Sequence, residues 1–144
     1  MGMSVRVLRP VSVVRPDLVI LEYNSVFGVE RAITVPYDPG FVRTCAHFSN
    51  LYQGASLLAL CDLSADKGYD FVGSNSAGNN AYFVRRDLHH GLRVLSPEEG
   101  SVVSKFAESR DEKGELSFVR GTERLDVIRD LPVTNTRTGL QERI

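Results

Sequence analysis

The chain has no tryptophan, two cysteines and two methionines. No uninterrupted apolar run approaches the roughly 20 residues that a helix needs to cross a bilayer. An excess of either charge is also missing: 17 Lys and Arg against 18 Asp and Glu leave a formal net charge of −1. The basic residues are scattered, so they form no footprint for nucleic acid and no basic helix face for an anionic membrane. Neither partner is expected. Cys45 and Cys61 are not part of a CxxC pair and read as two buried free thiols, a usage that suits the reducing cytoplasm. Met1 to Pro16 intersperses Arg6, Arg9 and Arg15 with small apolar residues. It lacks the continuous apolar stretch and cleavage pattern of a signal peptide, so a cytoplasmic location is expected.

Several chemical signatures are missing as well. No Gly-x-Gly occurs, which removes the dinucleotide fingerprint. Gly73 to Gly78 has the glycine spacing of a phosphate loop, but Asn79 and Asn80 stand where its lysine and hydroxyl residue belong. Ser25, Ser74 and Ser76 lack the G-x-S-x-G elbow of a hydrolase nucleophile. His89 and His90 are adjacent, so on regular structure they point to opposite faces, and no carboxylate or third histidine at ligand spacing joins them or His47. They read as a polar turn before Gly91, and no metal site is expected. Glu98-Glu99 is explained by a helix cap without a catalytic role.

What is present fits one globular domain: 144 residues, 42% hydrophobic and 24% charged, enough for a single core. Asp17 to Tyr23 contains a continuous apolar run, which predicts a strand buried on both faces, as in a parallel sheet. Arg31 to Tyr37 reads as a short extended piece closed by Pro36. Asp38-Pro39 predicts a helix start, with Phe41, Cys45, Phe48 and Tyr52 on one face. Ala55 to Lys67 reads as a helix with Leu57, Leu60, Cys61 and Ser64 aligned, ended by Gly68. Tyr69 to Gly73 and Ala81 to Arg86 read as strands around a polar loop. Ser96-Pro97-Glu98-Glu99 is a capping box, predicting a helix with Val102, Val103, Phe106 and Ala107 on its apolar face. Thr122 to Asp130 reads as a last short helix, with Leu125, Ile128 and Leu131 in line before Pro132. Residues 1–133 are thus expected to form one α/β domain, and residues 134–144 a polar tail.

Three stretches in this order resemble a bacterial protein group related to FkbM-type methyltransferases. They are Val14-Arg-Pro-Asp-Leu-Val-Ile-Leu-Glu-Tyr-Asn24; Ile33-Thr-Val-Pro-Tyr-Asp-Pro39 with Tyr52-Gln-Gly-Ala-Ser-Leu57; and Lys67 to Arg86, including Gly73-Ser-Asn-Ser-Ala-Gly-Asn-Asn80. The likeness continues through Phe106 to Asp111 and Leu125 to Val133, covering most of residues 11–140. It implies an α/β fold, the C-terminal half of a Rossmann-like, class I methyltransferase-type sheet with an antiparallel edge hairpin and extra C-terminal helices. The segment ending at Glu22-Tyr23-Asn24 is similar to strand five, Ala55 to Lys67 to the crossover helix after it, and Tyr69 to Arg86 to the edge strand pair.

In that group a longer N-terminal half carries the first four strands, a glycine-rich turn and the acidic residues that hold S-adenosylmethionine. Those features do not precede Asp17 here. The resemblance therefore implies a methyltransferase-related protein or fragment, a substrate-side half not expected to bind the donor or catalyse alone. A small molecule or glycan is the implied substrate, and a partner chain could supply the missing strands. Ligands of open α/β sheets bind outside the carboxyl ends of the strands. Glu22, Tyr23 and Asn24, with Asn75, Asn79 and Asn80 of the hairpin loop, are therefore the expected substrate-side residues. The same asparagines could instead serve turn geometry alone. The alternative function is a non-enzymatic interaction or assembly protein that pairs through an exposed sheet edge.

Overall fold

The computed structural model describes residues 14–88, 90–105 and 108–144. Its mixed α/β architecture contains two three-stranded sheets, and every strand pair is antiparallel. In the first sheet, β1 (Leu18–Glu22) lies beside β4 (Asn80–Arg85), which lies beside β3 (Tyr69–Ser74). Leu18 faces Val84 and Glu22 faces Asn80 across the first ladder. Because β1 and β3 both run against β4, they are parallel to each other, with the returning strand between them.

The helix joining them, α2 (Leu57–Asp66), packs on β3. Its start and stop agree with the sequence expectation. Ser56 accepts a hydrogen bond from the amide of Ala59, and Gly68 takes the left-handed conformation just past the end, at φ 83°. Leu57, Ala59 and Leu60 are buried against Tyr69, Phe71, Ala81 and Phe83. This core covers only one sheet face. Val19 and Leu21 turn toward it, whereas Leu18 and Ile20 are 49% and 54% exposed. The strand expected to be buried on both faces instead alternates, with a helix packed on one side only.

The second sheet has the order β2 (Ile33–Thr34), β5 (Pro132–Asn135), β6 (Gln141–Arg143). Residues 134–144, read as a polar tail, thus form most of a hairpin. Val133 at its start is fully buried among Phe27, Ile33, Val35, Leu51, Tyr52 and Ile128. The preceding helix, α4 (Glu123–Ile128), is shorter than expected. It buries Arg124 and Ile128, four residues apart, while Leu125 remains exposed. Of the three residues expected in line, Ile128 is buried and Leu131 packs against the same core, while Arg124 takes the inner place of Leu125. A strap of residues 51–56 joins the two sheets: Val35 donates to the carbonyl of Gly54, and Ser56 donates from its amide to Ile33.

Two expected helices are much shorter, each for a local reason. Asp38 closes a turn on the amide of Gly40 at 2.8 Å instead of capping a helix. Only α1 (Arg43–Ala46) forms, before His47 becomes extended and Asn50 turns left-handed at φ 60°. Cys45 is consequently exposed rather than buried, and Cys61 is half-buried. The capping box at Ser96 is present, but α3 ends after Pro97–Gly100. Tyr23 has taken both backbone groups of Val102: its hydroxyl donates to the carbonyl oxygen at 2.7 Å and accepts from the amide at 3.2 Å. The amide of Ser104 donates to Ser25 Oγ. With these groups engaged, the helical ladder cannot continue. Phe106, Ala107 and His89, and the segment Met1 to Ser12 with Val13, lie outside the described residues.

Candidate functional site

Beyond the carboxyl end of β1, the chain turns away from the first sheet and leaves a cleft with two adjoining lobes. One, about 200 Å³, is lined on its apolar side by Val35, Pro36, Tyr37 and Phe41. The other, about 180 Å³, is lined by Ser25, Gly78, Asn79, Ser104 and Glu108. Glu22, Tyr23, Asn24, Arg43 and Gln53 border both. A more open groove of about 410 Å³ lies elsewhere, between α2 and the β5–β6 turn. It is crossed by the Asp62–Arg137 ion pair, at 2.6 Å.

Of the six expected substrate-side residues, Glu22, Tyr23, Asn24 and Asn79 meet at the polar lobe, while Asn75 and Asn80 do not line it. Their hydrogen bonds separate their capacities. Asn24 is spent on structure: its amide nitrogen donates to the carbonyls of Leu51 and Gln53, and its oxygen accepts from the amide of Val26. Tyr23 is similarly engaged with Val102. Asn75 closes the hairpin turn, accepting from the amides of Asn79 and Asn80 and donating to the side chain of Asn79. The asparagine-rich loop thus serves turn geometry, with Asn79 alone at the cleft.

The Glu22 carboxylate is exposed and makes no hydrogen bond or ion pair among the described residues. Sequence reading missed Arg43, Gln53, Ser25 and Ser104. Arg43 starts α1 and spends its Nε on the carbonyl of Asn50, at 2.7 Å, leaving both terminal nitrogens without a partner among the described residues. The Gln53 side chain also has no partner there. The only sequence signal for these four was their position within or near the resembling stretches, because their convergence depends on the strap and on the 100–104 segment.

Behind the polar lobe lies an unusual cation. Arg124 is 3% exposed and faces no carboxylate among the described residues. It donates to Ser104 Oγ at 2.9 Å and to the Ser104 carbonyl at 2.8 Å, while its Nε has no partner. Burial holds its pKa below the ordinary value. Ser104 Oγ also lies 2.9 Å from Ser25 Oγ. At the rim Glu108 pairs with Arg110 at 2.8 Å.

The Cys61 thiol is not an activated nucleophile. Burial, with Asp62 and Glu98 nearby, pushes the Cys61 thiol up to about 12, far from the thiolate range needed for attack. Burial lowers the pKa of His47, which lies 2.8 Å from Ser49 Oγ and does not line the cleft. His90 is exposed, with a left-handed φ of 33° that suits the expected turn. Among the described residues no three His, Cys, Asp or Glu side chains converge as metal ligands, and no helix is long and apolar enough to cross a membrane. No protein-family model, curated protein or solved structure matches the chain.

Proposed function

We propose that this chain is the substrate-side half of a methyltransferase-related, Rossmann-like domain, with the cleft beyond β1 receiving part of the methyl acceptor. The observation that carries this reading is the order β1-β4-β3. A strand, a crossover helix and an edge strand pair occur in the sequence order that the resemblance to FkbM-related proteins requires. The cleft opens at the carboxyl end of β1, where ligands of such sheets bind. The free edge of β1 among the described residues is where further strands would add. A small molecule or glycan is the proposed substrate class, and the cytoplasm the proposed location.

The residues present do not fit S-adenosylmethionine. A donor cradle needs backbone bare of side chains close to the ligand. Of the two glycines at the cleft, Gly78 is pressed against the backbone of Val102 and Ser104, leaving Gly54 alone. The donor-binding elements therefore belong to other residues, in cis or on a partner chain. What this half contributes is placement of the acceptor, since methyl transfer demands in-line approach of the nucleophile to the sulfonium carbon. Isothermal titration of the chain with S-adenosylmethionine should give no binding heat. Saturable binding would overturn the division between the two halves.

The exposed β1 edge favours one second reading, an assembly protein pairing through that strand. Leu18 and Ile20 are exposed apolar side chains on that strand, with Glu22 as the one charge on the same face. If this is the function, light scattering should show a dimer that Ile20→Lys dissolves, whereas a monomer at high concentration argues for the first reading.

A further inference from the structure

We infer that the polar lobe is an oxyanion subsite, built to take a carboxylate or phosphoryl group of the ligand. The argument is an imbalance of donors over acceptors around Ser25, Ser104 and Arg124. Arg124 directs Nη1 and Nη2 to Ser104 and retains an Nε–H with no acceptor among the described residues, although the residue is almost fully buried. The amide of Ser104 donates to Ser25 Oγ at 3.1 Å. The two hydroxyls share one hydrogen bond, at 2.9 Å. Whichever serine donates it, the other keeps a proton without an acceptor among the described residues, and both serines line the lobe. A buried cation hydrogen-bonded to one hydroxyl polarises the pair and strengthens the remaining donor.

Across the lobe stand the terminal nitrogens of Arg43, without a partner among the described residues, and the amide of Gln53. Two carboxylates also face the space. Glu108 is compensated by Arg110, and Glu22 sits exposed at the rim, where water screens it. The lining of the lobe therefore offers a serine hydroxyl donor and the Arg43 guanidinium, with the positive charge of Arg124 buried behind Ser104. An oxyanion supplies the acceptors that this set lacks. The subsite belongs to the cleft of the proposed acceptor site but does not depend on methyl transfer, so a failed donor experiment leaves it intact.

The test is titration of the full chain with inorganic phosphate at constant ionic strength, followed by amide chemical shifts. Saturable shifts at Ser25, Asn79 and Ser104 are expected, with sodium chloride producing none. Ser104→Ala also removes one of the two acceptors of Arg124 and endangers folding, so Arg43→Gln is the deciding variant. Its phosphate affinity should fall at least about tenfold, the loss expected when a charge-assisted bond of about 1.4 kcal/mol is removed. Acetate in a parallel titration distinguishes the two sources: tighter binding than phosphate assigns a carboxylate, weaker binding a phosphoryl group. Shifts that fail to saturate, that chloride reproduces, or that Arg43→Gln leaves unchanged would overturn the proposal.

Discussion

Residues at the end of β1 do more to shape the cleft than to offer it chemistry. Tyr23 was expected to contact substrate, yet its hydroxyl is consumed by both backbone groups of Val102. Tyr23→Phe keeps the ring in the core and strips those partners. The expected cost is about 1–3 kcal/mol, because two backbone groups lose a buried hydrogen bond, read as a lowered urea midpoint with unchanged slope. His47 supplies a pH dependence. Its folded pKa lies below the ordinary 6.5 because burial disfavours the charged ring. The unfolded chain therefore binds the proton more readily. The stabilising contribution of the neutral ring is complete above about pH 6.5 and is lost as pH falls through the lowered folded value. Urea midpoints measured between pH 8 and pH 5 should fall on the acid side, and His47→Gln should reduce that fall.

Elements meet at the cleft through close backbone contact. The β3–β4 turn reaches the 102–104 segment because Gly78 has no side chain. A Cβ there would stand 2.5 Å from the carbonyl oxygen of Val102 and 2.6 Å from the Ser104 amide, on a backbone already at φ 71°. Gly78→Ala is therefore strained in conformation and in space, and should destabilise by about 1–3 kcal/mol. Shifts concentrated at residues 100–104 in an amide spectrum would locate the damage, whereas a neutral variant would mean the segment moves aside. The helix α2 illustrates the opposite case, an element legible without its neighbours. Its serine cap, apolar stripe and terminal glycine are all local, and the observed Leu57–Asp66 span falls inside the expected range.

At the scale of the whole molecule, the C-terminal hairpin is part of the second core. Thr134 pairs with Thr34, the amide of Thr136 bonds the carbonyl of Ala32, and Arg31 bridges to Glu142 at 2.7 Å. Ending the chain at Leu131 would remove β5 and β6 and uncover Ile33, Tyr52 and Ile128, which pack together with Val133. Loss of cooperative thermal unfolding by circular dichroism is the expected result. A sharp transition at the wild-type temperature would show the hairpin to be dispensable.

Local chemistry carried much of this protein by itself. Capping residues, glycine stops and apolar periodicity determined where α2 and the β3–β4 hairpin would form, and Ser96 declared the start of α3. The carboxyl end of β1, expected from the sequence to face a ligand, does border a cleft. Tertiary structure decided what competed with local preference. Asp38 chose a turn, Tyr23 and Ser25 captured the backbone that would have prolonged α3, and Thr34 recruited a polar segment into a strand. The cleft also depended on it, because Arg43, Gln53, Ser104 and Arg124 come together only once the strap and α4 are packed. Periodicity records which residues avoid water, but hydrogen-bond partners far apart in the chain determine which backbone groups and charges remain for a ligand.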